Sequence, residues 1–202
     1  MTDNPFFRGS LEDLKTVTNV AHINHIPVFR KDFIVDQYQI YESRYWGADA
    51  ILLIAVCLTN DEILEFQELA SSLSIASLIE VHSEEEFFRV QELNPRLLGI
   101  NNRDLKSFET DLSETSGIAP RVGQNTIVVS ESGINNSLDA RNVRAAGADA
   151  ILVGESLITS ESRATLIEEL SNINDPRNGL IEEQQNLISD LTDNLPDIRE
   201  ST

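Results

Sequence analysis

Apolar residues cluster in short runs, and the polar stretches between them carry helical spacing. The runs are Val28 to Phe29, Ile51 to Ala55, Ala76 to Val81, Leu97 to Ile100, Thr126 to Val129 and Ala150 to Val153. Each is short, and most are rich in Ile, Leu and Val without polar alternation, which predicts strands buried on both faces. Between them, apolar positions recur at helical intervals, as at Ile63, Phe66, Leu69 and Ala70, and again at Phe87, Val90 and Leu93. Asp36, Thr59, Ser83 and Ser137 or its polar neighbours are the expected helix caps, and a first helix is expected over Ser10 to Asn24. The runs recur roughly every 20 to 30 residues, the length of a strand plus a crossover helix. Strand alternating with helix predicts an α/β protein with a parallel sheet.

One segment occurs twice: Gly47-Ala-Asp-Ala-Ile-Leu52 returns as Gly147-Ala-Asp-Ala-Ile-Leu152, one hundred residues later. In each copy the glycine suits a left-handed helix end, the aspartate a tight turn and Ile-Leu the start of a buried strand, so both read as helix-to-strand joints. Six strands satisfy an open, doubly wound sheet. They are about two short of an eight-stranded (β/α)₈ TIM barrel. Periodicity alone leaves both open. Residues 1–174 form the expected α/β domain, and 175–202 an acidic tail, helical or partly disordered, with an apolar stripe at Leu180, Ile181, Leu187, Ile188, Leu191 and Leu195.

Charge narrows the partners. Fifteen basic against 34 acidic residues give a net charge of −19, which repels nucleic acid and anionic lipid surfaces. Any phosphate must therefore be held locally. The one cysteine, Cys57, lies in the apolar run Ala50 to Leu58 and is expected to be a buried, unreactive hydrophobe. That run is too short to span a bilayer, and MTDNPFFRGS has no secretory signal pattern. A reducing, cytoplasmic setting follows as the expectation, with an organelle stroma as the other possibility.

Polar residues close four of the strands: Arg30-Lys31-Asp32-Phe33, Glu80-Val81-His82, Asn101-Asn102-Arg103-Asp104 and Ser130-Glu131-Ser132-Gly133. In a parallel barrel such ends share one rim, where active sites form. A charge at the end of an apolar strand is costly to bury alone, so Lys31, Glu80 and Glu131 are either paired for structure or poised for proton transfer. One lysine, two carboxylates and the Asn101 amide together can supply acid, base and orientation. Val153-Gly154-Glu155-Ser156, beside Ser132-Gly133, is where phosphate is accommodated after the last strands of such barrels. His22 and His25 fall on the first helix or its exit, and His82 is assigned to a different strand face from Glu80. All three are read as non-catalytic, and no metal site is expected.

Seven ordered blocks, Phe7 to Leu14, Pro27 to Ile34, Asp36 to Glu42, Leu78 to His82, Gly99 to Leu105, Val129 to Ile134 and Leu152 to Leu157, resemble indole-3-glycerol phosphate synthase. The resemblance covers about Asn4 to Leu170 and selects the TIM barrel over the open sheet. It implies a carboxy-lyase of tryptophan biosynthesis that closes 1-(2-carboxyphenylamino)-1-deoxyribulose 5-phosphate to an indole, losing carbon dioxide and water, with no cofactor or metal. It further implies Lys31 as general acid, Glu80 as the second acid/base, Asn101 as orienting amide and Glu131 as supporting carboxylate. Phe7 and Phe33 then enclose the aromatic ring, while Ser132, Gly133, Gly154 and Glu155 hold the phosphate and Arg103 partners carboxylates. The family's first strand brings a further glutamate and lysine with no counterpart here, so the chain is expected to be an incomplete, N-terminally truncated member with about six of eight βα units. Self-association or a partner chain at the incomplete barrel edge is expected in consequence. A barrel remnant that only binds a sugar phosphate or a partner subunit, and a different phosphate-handling barrel isomerase, are the competing readings.

Overall fold

The structure, a computed structural model, describes Thr2 and residues 7–105 and 107–172. The tail expected over 175–202 lies outside these residues. Helix α1 (Leu11–Ile23) opens the order, capped by Ser10, whose side chain accepts the Asp13 N–H. Six strands follow: β1 (Phe29–Arg30), β2 (Ala50–Ile54), β3 (Ala76–Val81), β4 (Leu97–Asn101), β5 (Ile127–Glu131) and β6 (Ala150–Leu152). Between and after them come α2 (Gln37–Tyr45), α3 (Asn60–Ser72), α4 (Glu84–Val90), α5 (Ser113–Ile118), α6 (Ser137–Ala146), α7 (Glu155–Thr159) and α8 (Arg163–Ser171). Asp36, Thr59 and Ser83 cap α2, α3 and α4 as their side chains predict. The cap of α6 is Asn136, not Ser137: its carboxamide accepts from both the Leu138 and Asp139 N–H groups.

All pairings are parallel, and spatial order equals chain order, β1-β2-β3-β4-β5-β6. A doubly wound sheet reverses its order at a switch point. Successive steps in one direction instead put every crossover helix on one side and curl the sheet toward a barrel. The burial pattern follows, because alternate residues of a strand face opposite sides. Ile51, Leu53, Ile79, Val81, Leu98, Ile100 and Val128 belong to the large core shared with the helices. Leu52, Ile54 and Leu78 pack on the other face with Phe29, Leu97 and Val129. Both faces are buried, as the unbroken apolar runs require.

The repeated joints are built alike. Gly47 and Gly147 have φ of +93° and +116°, the left-handed region that glycine enters without steric cost. Their N–H groups return to Arg44 O and Arg144 O at 3.1 and 3.0 Å. Asp49 then exchanges bonds with Val28, donating its N–H to Val28 O and accepting the Val28 N–H at 2.6 Å. Asp149 does the same with Val128, accepting its N–H at 3.0 Å.

Cys57 departs from expectation. Strand β2 ends at Ile54, and a 3₁₀ turn over Ala55–Cys57 carries the side chain out, leaving it exposed. Partial burial and the nearby Glu80 and Glu86 charges raise its thiol pKa, so it is held as the less reactive thiol.

Candidate active site

The carboxyl ends of β1, β3, β4 and β5 bring the polar positions onto one rim. Register does most of the work, because Glu80 pairs with Gly99 and Asn101 with Glu131 on neighbouring strands. On β1 the alternation separates two cations. Arg30 turns to the helix side, where it bonds Ser43 Oγ at 3.0 Å and Gln39 O at 3.1 Å and pairs with Asp32 and Glu42. Lys31 turns to the concave side. The buried Arg30 cluster fixes the strand end from which Lys31 projects.

Lys31 Nζ donates to Glu80 Oε2 at 2.5 Å and to Glu131 Oε2 at 2.9 Å. Both carboxylates are almost wholly buried, while the lysine side chain keeps 30% of its surface. Space for Glu131 comes from Gly99, since a Cβ built there would overlap Glu131 Oε1. The two carboxyls are not equivalent. Burial would push Glu80 up, but His82, the Lys31 charge and hydrogen bonds with Glu131 and Lys31 outweigh it and bring it down to about 2. Burial and the charge of Glu80 push Glu131 up to about 8, against the pull of Lys31. Burial opposes the ammonium of Lys31, yet the Glu131 and Glu80 charges hold its pKa above the ordinary value. These opposed shifts favour the ionised forms of Lys31 and Glu80 and the protonated form of Glu131.

His82 corrects the reading of its face. Residues i and i+2 of a strand lie on the same side, and His82 Nε2 is 3.1 Å from Glu80 Oε1, its side chain only 7% exposed. Its histidine neighbours are elsewhere: His22 pairs with Asp49 at 2.9 Å, and His25 leaves α1 with φ of +57°.

Asn101 is buried, and its Oδ1 accepts the Arg103 N–H at 3.1 Å, which fixes the direction of its amide beside Glu131. Asn102 is a residue that strand-end polarity alone did not single out. It points to the helix side, donates to Ser130 Oγ, Glu131 O and Ser132 O, and accepts from Thr115 N and Oγ1. The signal for it was a polar pair, Asn102 and Ser130, on a face that is otherwise apolar.

Ser132 and Gly133 leave β5 with successive positive φ of +63° and +75°. A serine in that region is uncommon and marks a turn held by its surroundings, here by Asn102 on Ser132 O. A Cβ on Gly154 would meet nothing within 4 Å, so open space lies beside it. Ser156 Oγ ties the start of α7 to Ile134 O at 2.8 Å, bringing the β5 and β6 loops together. Glu155 is exposed and paired through Oε2 with Arg103 Nη2 at 2.5 Å. Phe33 and Phe7 present exposed rings, 42% and 52%, outside the bonded cluster. Among the described residues no group of three or more His, Cys, Asp or Glu is arranged to hold a metal ion, and no helix is long and apolar enough to cross a membrane.

The family model for indole-3-glycerol phosphate synthase matches residues 1–170. The enzyme of that name from Alkaliphilus metalliredigens is 43% identical over 170 residues, 84% of this chain and 64% of the relative. That from Rhodopirellula baltica is 46% identical over 158 residues, 78% of this chain and 60% of the relative. The chain thus spans under two thirds of the length of these relatives. Among solved structures, 3-hexulose-6-phosphate synthase from Salmonella typhimurium superposes with a TM-score of 0.65 at 15% identity, covering 82% of this chain and 80% of that one. At that identity the match shows the fold alone, and the fold is the TIM-barrel type.

Proposed function

The chain belongs to the indole-3-glycerol phosphate synthase family, and we propose that its rim catalyses the reaction which gives the family its name. The substrate is 1-(2-carboxyphenylamino)-1-deoxyribulose 5-phosphate. The ring carbon bearing the carboxylate attacks the sugar carbonyl, whose oxygen takes a proton from Lys31 Nζ. Carbon dioxide leaves, and its bonding pair restores the aromatic ring. The new hydroxyl then departs as water with a second proton, and a base takes a proton from the methylene carbon bonded to nitrogen, which forms the double bond of the indole and leaves its N–H in place.

The observation that carries this reading is Lys31 Nζ bonded at once to two buried carboxyls, with Glu80 favoured ionised and Glu131 pushed toward its protonated form. Glu80 fits the proton acceptor, and Glu131 fits the store from which Lys31 is recharged, 2.9 Å away. One donation and one abstraction can then pass within the cluster, and the second proton donated, the one consumed overall, is drawn from water. Asn101 takes the role of orienting the departing hydroxyl, a reading supported by its amide being fixed beside Glu131. Ser132, Gly133, Gly154 and Glu155 are the residues we assign to the phosphate, Glu155 through its backbone rather than its exposed carboxylate, and the open space beside Gly154 supports the assignment. Phe33 and Phe7 are the rings assigned to flank the anthranilate moiety.

The test is turnover by residues 1–202 on the carboxyphenylamino-deoxyribulose phosphate, followed by indole fluorescence. Lys31→Ala is expected to lower kcat by about 10²–10⁴-fold. Turnover unchanged in that variant refutes the assignment of Lys31. Binding of the phosphate ester without any product would support a sugar-phosphate-binding barrel instead.

A further inference from the structure

Glu80 and Glu131 share one lysine, and what distinguishes them lies beyond it. Glu131 Oε1 is buried with no hydrogen-bond partner among the described residues. Glu80 has both oxygens engaged, Oε2 by Lys31 and Oε1 by the imidazole of His82. His82 is in turn held from the far side, its Nδ1 lying 3.4 Å from Glu86 Oε2. The same Glu86 carboxylate accepts the His82 backbone N–H at 2.8 Å. Neither ring nitrogen has an aligned hydrogen bond, so these contacts are ionic rather than directional.

Resting on the catalytic reading above, we propose that His82 is the positioning residue that assigns the site's proton, making Glu80 the acceptor and leaving Glu131 as the acid. A second cation against Glu80 stabilises its ionised form, and among the described residues no such cation pairs with Glu131 apart from the shared Lys31. With the ring neutral or absent, two carboxyls on one ammonium would compete for one proton on nearly equal terms, and neither role would be fixed. Glu86 keeps the imidazole charged. Burial would lower the His82 pKa, but the close Glu80 and Glu86 carboxylates raise it to about 9.

The charged and titratable groups around the imidazole are few. Among the described residues Glu80 faces it from β3 and Glu86 from the first turn of α4, and the same two carboxylates act on the Cys57 thiol in the turn after β2. Arg89, further along α4, acts on Glu86, while its guanidinium is engaged by Asn60 Oδ1 and by the carbonyls of Leu58 and Ala55. Lys31 and Glu131 lie beyond Glu80. Glu86 also borders a cavity of about 680 Å³, shared with Cys57, Glu62, Glu85 and Arg89, through which water can reach the outer end of the chain of contacts.

His82→Gln and Glu86→Gln in the full chain test the assignment by two readouts. The first is carbon-13 NMR titration of the side-chain carboxyls, with Glu80 and Glu131 assigned by Glu80→Gln and Glu131→Gln. In His82→Gln the Glu80 midpoint is expected to rise by about 1–3 pH units toward that of Glu131. In Glu86→Gln a smaller rise of the same sign is expected. The second readout is the pH profile of kcat/KM: its acid limb should move up by a similar interval, so activity falls near pH 4 and is largely kept at pH 7. A role confined to packing would lower activity equally at all pH. An unmoved Glu80 midpoint in either variant that keeps the native circular dichroism overturns the proposal. Since the NMR midpoints need no turnover, a chain that titrates as expected but forms no product would sink the catalytic reading and leave the proton assignment standing.

Discussion

Gly99→Ala asks whether the glycine in β4 serves only to make room for Glu131. The backbone there is ordinary strand, so alanine meets no conformational barrier. Its Cβ would overlap Glu131 Oε1, while the next atoms, Glu131 Cδ at 3.3 Å and Leu78 Cδ2 at 3.5 Å, are tight or ordinary contacts. Overpacking of this kind costs about 1–3 kcal/mol. In a domain of this size that is a fall in Tm of roughly 2–12 °C. Moving the carboxyl about 1 Å from Lys31 should also lower kcat by up to about 10²-fold. The decisive form is a double-mutant cycle by thermal and urea unfolding. With Glu131→Ala already present the obstacle is gone, and Gly99→Ala should be neutral or stabilising by about 0.4–1 kcal/mol through loss of chain entropy in the unfolded state. The sign of the same substitution thus reverses with its neighbour. Equal losses of stability in both backgrounds would refute the reasoning.

Two further outcomes follow from the site's electrostatics and its bracing. Glu131 is raised from 4.5 to about 8 in the folded chain, so its contribution to stability is full below the unfolded pKa and is lost as pH rises through the folded one. Stability should fall by up to about 1.4 kcal/mol per pH unit in that window. Glu131→Gln should abolish the fall most visibly between pH 4.5 and 6.5, below the window in which His82 adds a loss of the same sign, as read by urea midpoints at several pH values. Glu80, being depressed to about 2, acts in the opposite sense only below pH 4.5, and a slope unchanged in Glu131→Gln would contradict the raised pKa. Asn102→Ala takes a partner from the buried hydroxyls of Thr115 and Ser130, which keep each other at 2.7 Å, and from the Thr115 N–H, and should cost roughly 1–3 kcal/mol. It should also raise KM more than it lowers kcat, because the left-handed turn at Ser132 loses a brace; an unaltered melt would show that water replaces the amide.

Much of this was legible in the chain. The six strands lie within a residue or two of the apolar runs, because strands buried on both faces leave no polar interruption to blur their limits. The capping aspartate, threonine and serine of α2, α3 and α4 announced their helices, while Ser137 lost the cap of α6 to Asn136, an equally good acceptor one residue earlier. Lys31, Glu80 and Glu131 were visible as charges closing apolar strands. Cys57 was misread because a run of apolar letters does not show where a strand stops and a turn begins. Asn102 and the contact of His82 with Glu86 depend on elements that only the fold brings together, α5 in one case and the first turn of α4 in the other. The Glu80 to His82 contact, by contrast, was written in the strand's period of two.

The repeated helix-to-strand joints have a consequence at the other end of the sheet. Each aspartate grips the N–H of a valine on the preceding strand, Val28 by Asp49 and Val128 by Asp149. Three residues beyond the first valine is Lys31, and three beyond the second is Glu131. A slip of one residue in either strand would exchange its faces, presenting Arg30 in place of the lysine or Ser130 in place of the carboxyl. The two turns therefore act as matched anchors that set the phase of the strands bearing the reacting groups. The Lys31 to Glu131 contact, which spans one hundred residues, joins equivalent points of the two copies, and its alignment is fixed at the end of the strands remote from the chemistry.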